Sequence, residues 1–307
     1  MKLIKFILVL IIVILVSSII FAVLSNSASA PTENLPILGA NFFNHNQKIE
    51  NQVSFDLTSV AEDDQSIEAV SYMLIDLSGD KVLSERRSEE SLPIASLTKL
   101  MTVWTVLKFG NPDDNYTITS NDVEPINPSL GLQPGQVVKV KDLITSVLVG
   151  STNDGALALS HYTEQKYSKS NDAKTSFIEL MNQTAKELEM TSTRYANPIG
   201  FDNVSNYSSA QDIYRLVKAM LAKKVFEQTW KKSSFSFTGI SGSSFSTSAT
   251  NKLAAQYSDL FAIKTGYTNE ALGSMVNLVK RDHDYLLIVI GSANRESDTL
   301  KLRSQLP

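Results

Sequence analysis

A serine placed three residues ahead of a lysine is the simplest route to an activated hydroxyl in a chain with no cysteine and only three histidines. A hydroxyl is a weak nucleophile until a base takes its proton. A lysine amine becomes that base only when burial or neighbouring positive charge lowers its pKa. Two such pairs occur, Ser78–Lys81 and Ser96–Lys99. The first lies in Ser-Gly-Asp turn composition and reads as structural. The second follows Pro93 at the start of an apolar stretch with helical spacing. At i, i+3 both side chains share one helical face, with Cβ atoms about 5–6 Å apart, so hydroxyl and amine can meet. The positive end of a helix and a second lysine nearby would both favour the neutral amine.

Two further clusters carry polar groups of the right kind. S-x-N occurs at Ser151-Thr152-Asn153 and at Ser292-Ala293-Asn294. The latter precedes the last helical stretch and reads as an N-cap. The former stands at a tight interhelical turn after Gly150, where it either caps a helix or projects a hydroxyl and an amide into a cleft. Lys264-Thr265-Gly266 ends an apolar strand, a costly place for a lysine unless it faces a cleft, and Gly266 permits close backbone approach. At this serine and lysine content chance alone supplies S-x-x-K about two or three times. The order and placement of the three motifs, at a helix start, an interhelical turn and a strand end, carry the argument.

The elements that must position them follow from hydrophobic periodicity. Residues 69–76 and 81–86 read as a β-hairpin. Helices are expected over 95–109, 140–149, 154–165, 175–188 and 210–222. Strands return at 259–266, 275–280 and 285–290, and a helix over 295–306 closes the chain. The serine-rich run 233–250 reads as an exposed strand and mobile loop. Strands, then helices, then strands predict an α+β fold, in which N- and C-terminal strands share one antiparallel sheet and the helices form an inserted lobe. A cleft between sheet and lobe is the natural place for a site.

Composition excludes several classes. Without cysteine there is no disulfide framework, thiolate metal site or cysteine nucleophile. His45, His161 and His283 are spread over the chain, which leaves little for a zinc site or a Ser-His-Asp triad. A net charge of −4 without a basic cluster argues against nucleic acid. At the N-terminus, residues 6–24 are apolar except Ser17 and Ser18, about 28 Å as a helix and close to a bilayer's hydrocarbon thickness. Lys2 and Lys5 precede the run, so the rest of the chain is expected outside the cytoplasm. An uncleaved single-pass membrane anchor competes with a signal peptide cut after Ala28-Ser29-Ala30, which would give a secreted protein. Residues 1–30 are therefore anchor or signal, 31–66 a linker, and 67–307 the catalytic domain.

The surrounding sequence adds a resemblance. The run Pro93-Ile94-Ala95-Ser96-Leu97-Thr98-Lys99-Leu100-Met101-Thr102 resembles the nucleophile helix of the serine-type D-Ala-D-Ala carboxypeptidases, the low-molecular-mass penicillin-binding proteins. The likeness continues through Lys141-Asp142-Leu143-Ile144, Ser151–Ala156, Asn197-Pro198-Ile199-Gly200-Phe201-Asp202 and Tyr207-Ser208-Ser209-Ala210-Gln211-Asp212 to Ala262-Ile263-Lys264-Thr265-Gly266-Tyr267-Thr268. It covers residues 66–295. Within it, Asn197-Pro198-Ile199-Gly200 reads as a turn and Ser209–Asp212 as a helix capping box. Thr152 and Glu189 stand where the family usually has Gly. Ala271-Leu272-Gly273 has one residue more than its usual Ala-Gly pair.

The resemblance implies the DD-peptidase/β-lactamase-like α/β/α sandwich and a set of roles. Ser96 would attack a peptide ending in D-Ala-D-Ala, with Lys99 as general base. Ser151 would relay a proton to the leaving amine, and Asn153 would hold the substrate amide and help position Lys99. Lys264 and Thr265 would bind the terminal carboxylate beside Gly266, and the N–H groups of Ser96 and Tyr267 would bind the oxyanion. The implied partners are peptidoglycan stem peptides and, as covalent inhibitors, β-lactams, with no metal or cofactor. A class A β-lactamase would use a Glu-x-x-Leu-Asn loop, and no such sequence occurs. A D,D-endopeptidase and a non-enzymatic penicillin-binding sensor or scaffold remain open at this point.

Overall fold

The computed structural model describes residues 64–307 except 125, 172–174 and 224–225. The anchor or signal segment and nearly all of the linker therefore lie outside the described residues. Among the described residues, no helix is long and apolar enough to cross a membrane. Asp64–Ser66, the end of the expected linker, are tied to the body: Arg86 donates to Asp64 O at 3.1 Å, Gln305 to Asp64 Oδ2 at 2.9 Å, and Lys301 to Ser66 O.

Five strands form the central antiparallel sheet: β1 (Ser71–Asp76), β2 (Lys81–Arg86), β7 (Leu260–Thr268), β8 (Leu272–Lys280) and β9 (Asp284–Ser292), in the order β2-β1-β9-β8-β7. The first hairpin joins the last one because β1 pairs with β9, Ser71 opposite Ile290 through Asp76 opposite Tyr285. Both faces are covered, so the two-residue alternation divides apolar side chains between two cores. Met73, Ile75, Ile263, Val276, Leu278, Leu286, Ile288 and Ile290 face the helical lobe. Tyr72, Leu74, Met275, Val279, Leu287 and Val289 face Leu302 and Leu306 at the chain's end. This is the expected α/β/α sandwich.

The lobe holds α1 (Thr98–Phe109), α2 (Val140–Gly150), α3 (Asn153–Asn171), α4 (Phe177–Glu187), α5 (Ala210–Leu221) and the short α6 (Glu227–Trp230), with a small ribbon of β3 (Asn115–Thr117) and β4 (Val137–Lys139). Helix α7 (Arg295–Ser304) packs on the opposite face. Helix α1 is buried from Thr98 to Val106 and packs against α2, α3, α4 and α5. Burying each of Leu100, Met101, Val103 and Val106 stabilises the fold by about 1.5–3 kcal/mol. A helix this firmly held is a rigid base for side chains at its start.

Three expectations change. Residues 95–109 are not one helix: Ala95–Leu97 form a 3-10 turn and α1 begins at Thr98. The serine-rich run holds not one strand and a loop but two paired strands, β5 (Ser234–Thr238) and β6 (Ser244–Ser248), lying on α2. Its inner Phe235, Phe237 and Phe245 stack at 5.0–5.4 Å; alternation of phenylalanine with serine is the strand signal that the low complexity concealed. Third, Ser209 caps α5 through Asp212 N–H, but the box is only half formed. The Asp212 carboxylate instead accepts from Ser192 N–H and Thr193 Oγ1.

Candidate active site

Ser96 sits in the 3-10 turn ahead of α1, and that turn is conformationally unusual. Ala95 has φ +47°, which costs a residue with a Cβ about 1–2 kcal/mol. Two glycines press on the turn from outside. A Cβ at Gly200 would fall 2.0 Å from Ala95 O, and one at Gly266 would fall 3.0 Å from the Ser96 nitrogen. Packing of both segments fixes the direction in which the Ser96 hydroxyl points.

One turn along, Lys99 reaches back. Its Nζ lies 2.9 Å from Ser96 Oγ and donates to Ile199 O at 2.6 Å. The side chain is completely buried, and that burial carries its pKa from 10.5 down to about 7. Desolvation is the cause of that lowering. Among the described residues no carboxylate pairs with it.

Ser151 follows α2 in the left-handed conformation, φ +59°, and its Oγ accepts from Lys264 Nζ at 2.8 Å. The second and third motifs are thus in direct contact. Asn153 opens α3, but its amide points elsewhere than expected: Nδ2 donates to Asn127 O at 3.0 Å, and its N–H to Pro128 O at 2.7 Å. No hydrogen bond joins Asn153 to Lys99, because the 126–128 segment satisfies the amide first. Asp154 holds the next stretch of that loop through Ser129 Oγ at 2.6 Å and Leu130 N at 2.9 Å.

Lys264, Thr265, Gly266 and Tyr267 lie on β7, the sheet's edge strand. The ladder shifts register between Ala262 and Lys264, a bulge that re-aims the side chains following it. Lys264 is completely buried and its pKa is held well below 10.5, by desolvation first and then by the charges of Lys99 and Arg295. Thr265 Oγ1 shares a 2.6 Å hydrogen bond with Thr250 Oγ1. The Tyr267 side chain is 64% exposed.

Ser96 with Lys99, and Ser151 with Lys264, are therefore two hydroxyl–amine pairs whose amines are buried. Ser78 bonds instead to Asp76 at 2.6 Å in the β1–β2 turn. Sequence reasoning missed three contributors. Arg295 Nη1 donates to Gly266 O at 2.6 Å, Thr250 supports Thr265, and Ile199 supplies the carbonyl on Lys99. A charged residue one position past the Asn294 cap was the available signal for Arg295; a backbone carbonyl leaves none. Among the described residues, no group of three His, Asp or Glu side chains is placed to hold a metal ion.

The serine–lysine pair on this α/β/α sandwich accords with the family that the sequence resembles. Residues 57–294 match the D-alanyl-D-alanine carboxypeptidase family, and the chain belongs to it. Among curated relatives, the carboxypeptidase DacF of Bacillus subtilis is 27% identical over 240 residues, 74% of this chain and 58% of its own. The carboxypeptidase DacC of Escherichia coli is 34% identical over 167 residues, 51% of this chain and 40% of its own. A D-alanyl-D-alanine endopeptidase of Haemophilus influenzae is 30% identical over 238 residues, 76% of this chain and 78% of its own. The chain spans about half the length of the first two. Its fold is that of the Streptomyces K15 DD-transpeptidase (TM-score 0.68, 24% identity, 78% of this chain and 96% of that one). Penicillin-binding protein D2 of Listeria monocytogenes, solved in an ampicillin-bound form, shares it too (TM-score 0.64, 24% identity, 78% and 98%).

Proposed function

We propose that this protein is a serine D-alanyl-D-alanine carboxypeptidase that trims the terminal D-Ala from peptidoglycan stem peptides. The 2.9 Å approach of a buried amine of lowered pKa to Ser96 Oγ carries the reading. Ser96 Oγ attacks the carbonyl carbon of the penultimate D-Ala as neutral Lys99 takes its proton. The N–H groups of Ser96 and Tyr267 receive the developing oxyanion, about 3–4 kcal/mol per donor. Ser151 passes a proton to the departing amine as the peptide bond breaks, and Lys264 replenishes it across 2.8 Å. The terminal carboxylate rests on Lys264 and the Thr265 hydroxyl. Asn153, its Nδ2 engaged with Asn127 O, offers Oδ1 to the substrate N–H. Water then hydrolyses the acyl-enzyme, and β-lactams acylate the same serine.

A D,D-endopeptidase is the second reading, favoured by the Haemophilus relative whose own length is mostly matched. Mass spectrometry of a muropeptide digest separates them. Loss of one terminal D-Ala supports the carboxypeptidase, whereas conversion of cross-linked dimers to monomers supports the endopeptidase. No change in either, with penicillin still bound, means a sensor or scaffold. Rapid nitrocefin turnover would mean a β-lactamase. We propose further that the apolar run 6–24 places the catalytic domain outside the cytoplasmic membrane, supported by its length and the preceding Lys2 and Lys5. Recovery of the full chain in the soluble fraction would contradict this anchorage.

A further inference from the structure

The segment from Asn197 to Asp202 is built around one side chain. Asn197 Oδ1 accepts the N–H groups of Ile199 (3.2 Å), Gly200 (2.7 Å) and Phe201 (3.1 Å), while Nδ2 donates to Phe201 O at 3.0 Å. An ordinary turn is closed by a single backbone bond; this one has four from one amide. The loop so shaped is then pinned outward. Ile199 O accepts from Lys99 Nζ and Pro198 O from Thr102 Oγ1, each at 2.6 Å, and Asp202 Oδ1 accepts from Thr268 Oγ1 at 2.6 Å.

The consequence falls on the amine. Neutral lysine has two N–H groups and one lone pair, and only the lone pair can take the Ser96 proton. With one N–H held by Ile199 O, rotation about the last bond is restricted and the lone pair can face Ser96. The other charged groups near Lys99 are Lys264 on β7 and, behind it, Arg295 on α7; neither accepts a hydrogen bond. The loop's own Asp202 is engaged by Thr268. Among the described residues, Ile199 O is thus the one fixed acceptor for the amine besides Ser96 itself.

We propose that Asn197 is a positioning residue for the reaction: by fixing the Ile199 carbonyl it orients the Lys99 amine toward Ser96. The proposal rests on Lys99 acting as the general base. Both ends of the Asn197 amide are engaged within the loop, so its contribution runs through the loop.

The test is the second-order rate of acylation by a fluorescent penicillin against pH, for wild type, Asn197→Ala, Asn197→Asp and Thr102→Val, each with a thermal melt. Wild type should show an ascending limb near pH 7. Asn197→Ala should acylate on the order of 10–100-fold more slowly. Its limb should move to higher pH, since a loosened loop admits water to an amine whose pKa burial holds down. Asn197→Asp keeps an acceptor for the three N–H groups, so above its limb it should recover most of the rate, while its charge also raises the limb. Thr102→Val removes one pin and should give a smaller change in the same direction. If Asn197→Ala does not fold, the other two variants decide by the same readout. Unchanged rate and limb in the folded variants overturn the proposal, as does a slower rate with the limb unmoved. A wild-type profile flat from about pH 5 to 9 overturns the base assignment itself, an outcome distinct from failure of the loop alone.

Discussion

Lys264 Nζ donates to Ser151 Oγ across 2.8 Å, joining the edge strand of the sheet to the turn between α2 and α3. Both residues are buried, at 2% and 4% exposure. A lysine buried without a carboxylate lowers stability, and an anionic guest would offset that cost. Replacing the lysine should separate stability from function. Lys264→Met is expected to melt no lower than wild type, while D-Ala release from a model peptide loses about 10–100-fold in kcat/KM, the worth of a charge-assisted hydrogen bond. Thermal denaturation beside steady-state kinetics checks both halves.

The Lys99 amine titrates near 7 in the fold and near 10.5 when exposed by unfolding. Acylation should therefore rise through about pH 7 as the amine becomes neutral. Stability follows with a definite sign. Between the two values the unfolded chain binds the extra proton, so stability increases with pH across that window; below it the group's penalty is full and constant with pH. Denaturant titrations at pH 7 and pH 9 should show wild type gaining about 2 kcal/mol over that interval relative to Lys99→Met.

Gly200 tests the fixity of the nucleophile turn. It has φ +86°, and a Cβ there would lie 2.0 Å from Ala95 O. Gly200→Ala must push the Ala95–Leu97 turn away. A loss of about 2–3 kcal/mol in stability is expected, along with severe loss of penicillin labelling, measured by gel fluorescence on folded protein.

Glu189 is a position where activity is not at stake. It ends α4 at φ +56°, with Met190 N–H donating to Ala185 O and Glu189 N–H to Lys186 O, the two bonds of a glycine-type helix terminus. Glu189→Gly should stabilise the protein by about 1 kcal/mol and leave acylation unchanged. Equilibrium unfolding in urea measures the difference.

These cases show what the chain disclosed before its structure. Ser96 and Lys99 were legible because a spacing of three on a helical stretch brings the two groups together, and 2.9 Å is the outcome. The contact between Ser151 and Lys264 was not, since 113 residues separate them and no local pattern encodes such a pairing. The departures at Glu189 and Leu272 became intelligible only with backbone angles: both occupy positive φ, where glycine is the usual choice. Asn153 was placed at the right element but given the wrong neighbour, because the 126–128 segment carries no motif. The sheet was recovered from alternation, while in the serine-rich run one strand was read and its partner missed, because the serine content masked the same alternation.

Intact-protein mass spectrometry after incubation with benzylpenicillin tests the central claim most directly. Wild type should gain one penicilloyl group, mapped by peptide digestion to Ser96, and folded Ser96→Ala should gain none. An adduct on folded Ser96→Ala, or one mapped to Ser78 or Ser151 in wild type, would contradict the account.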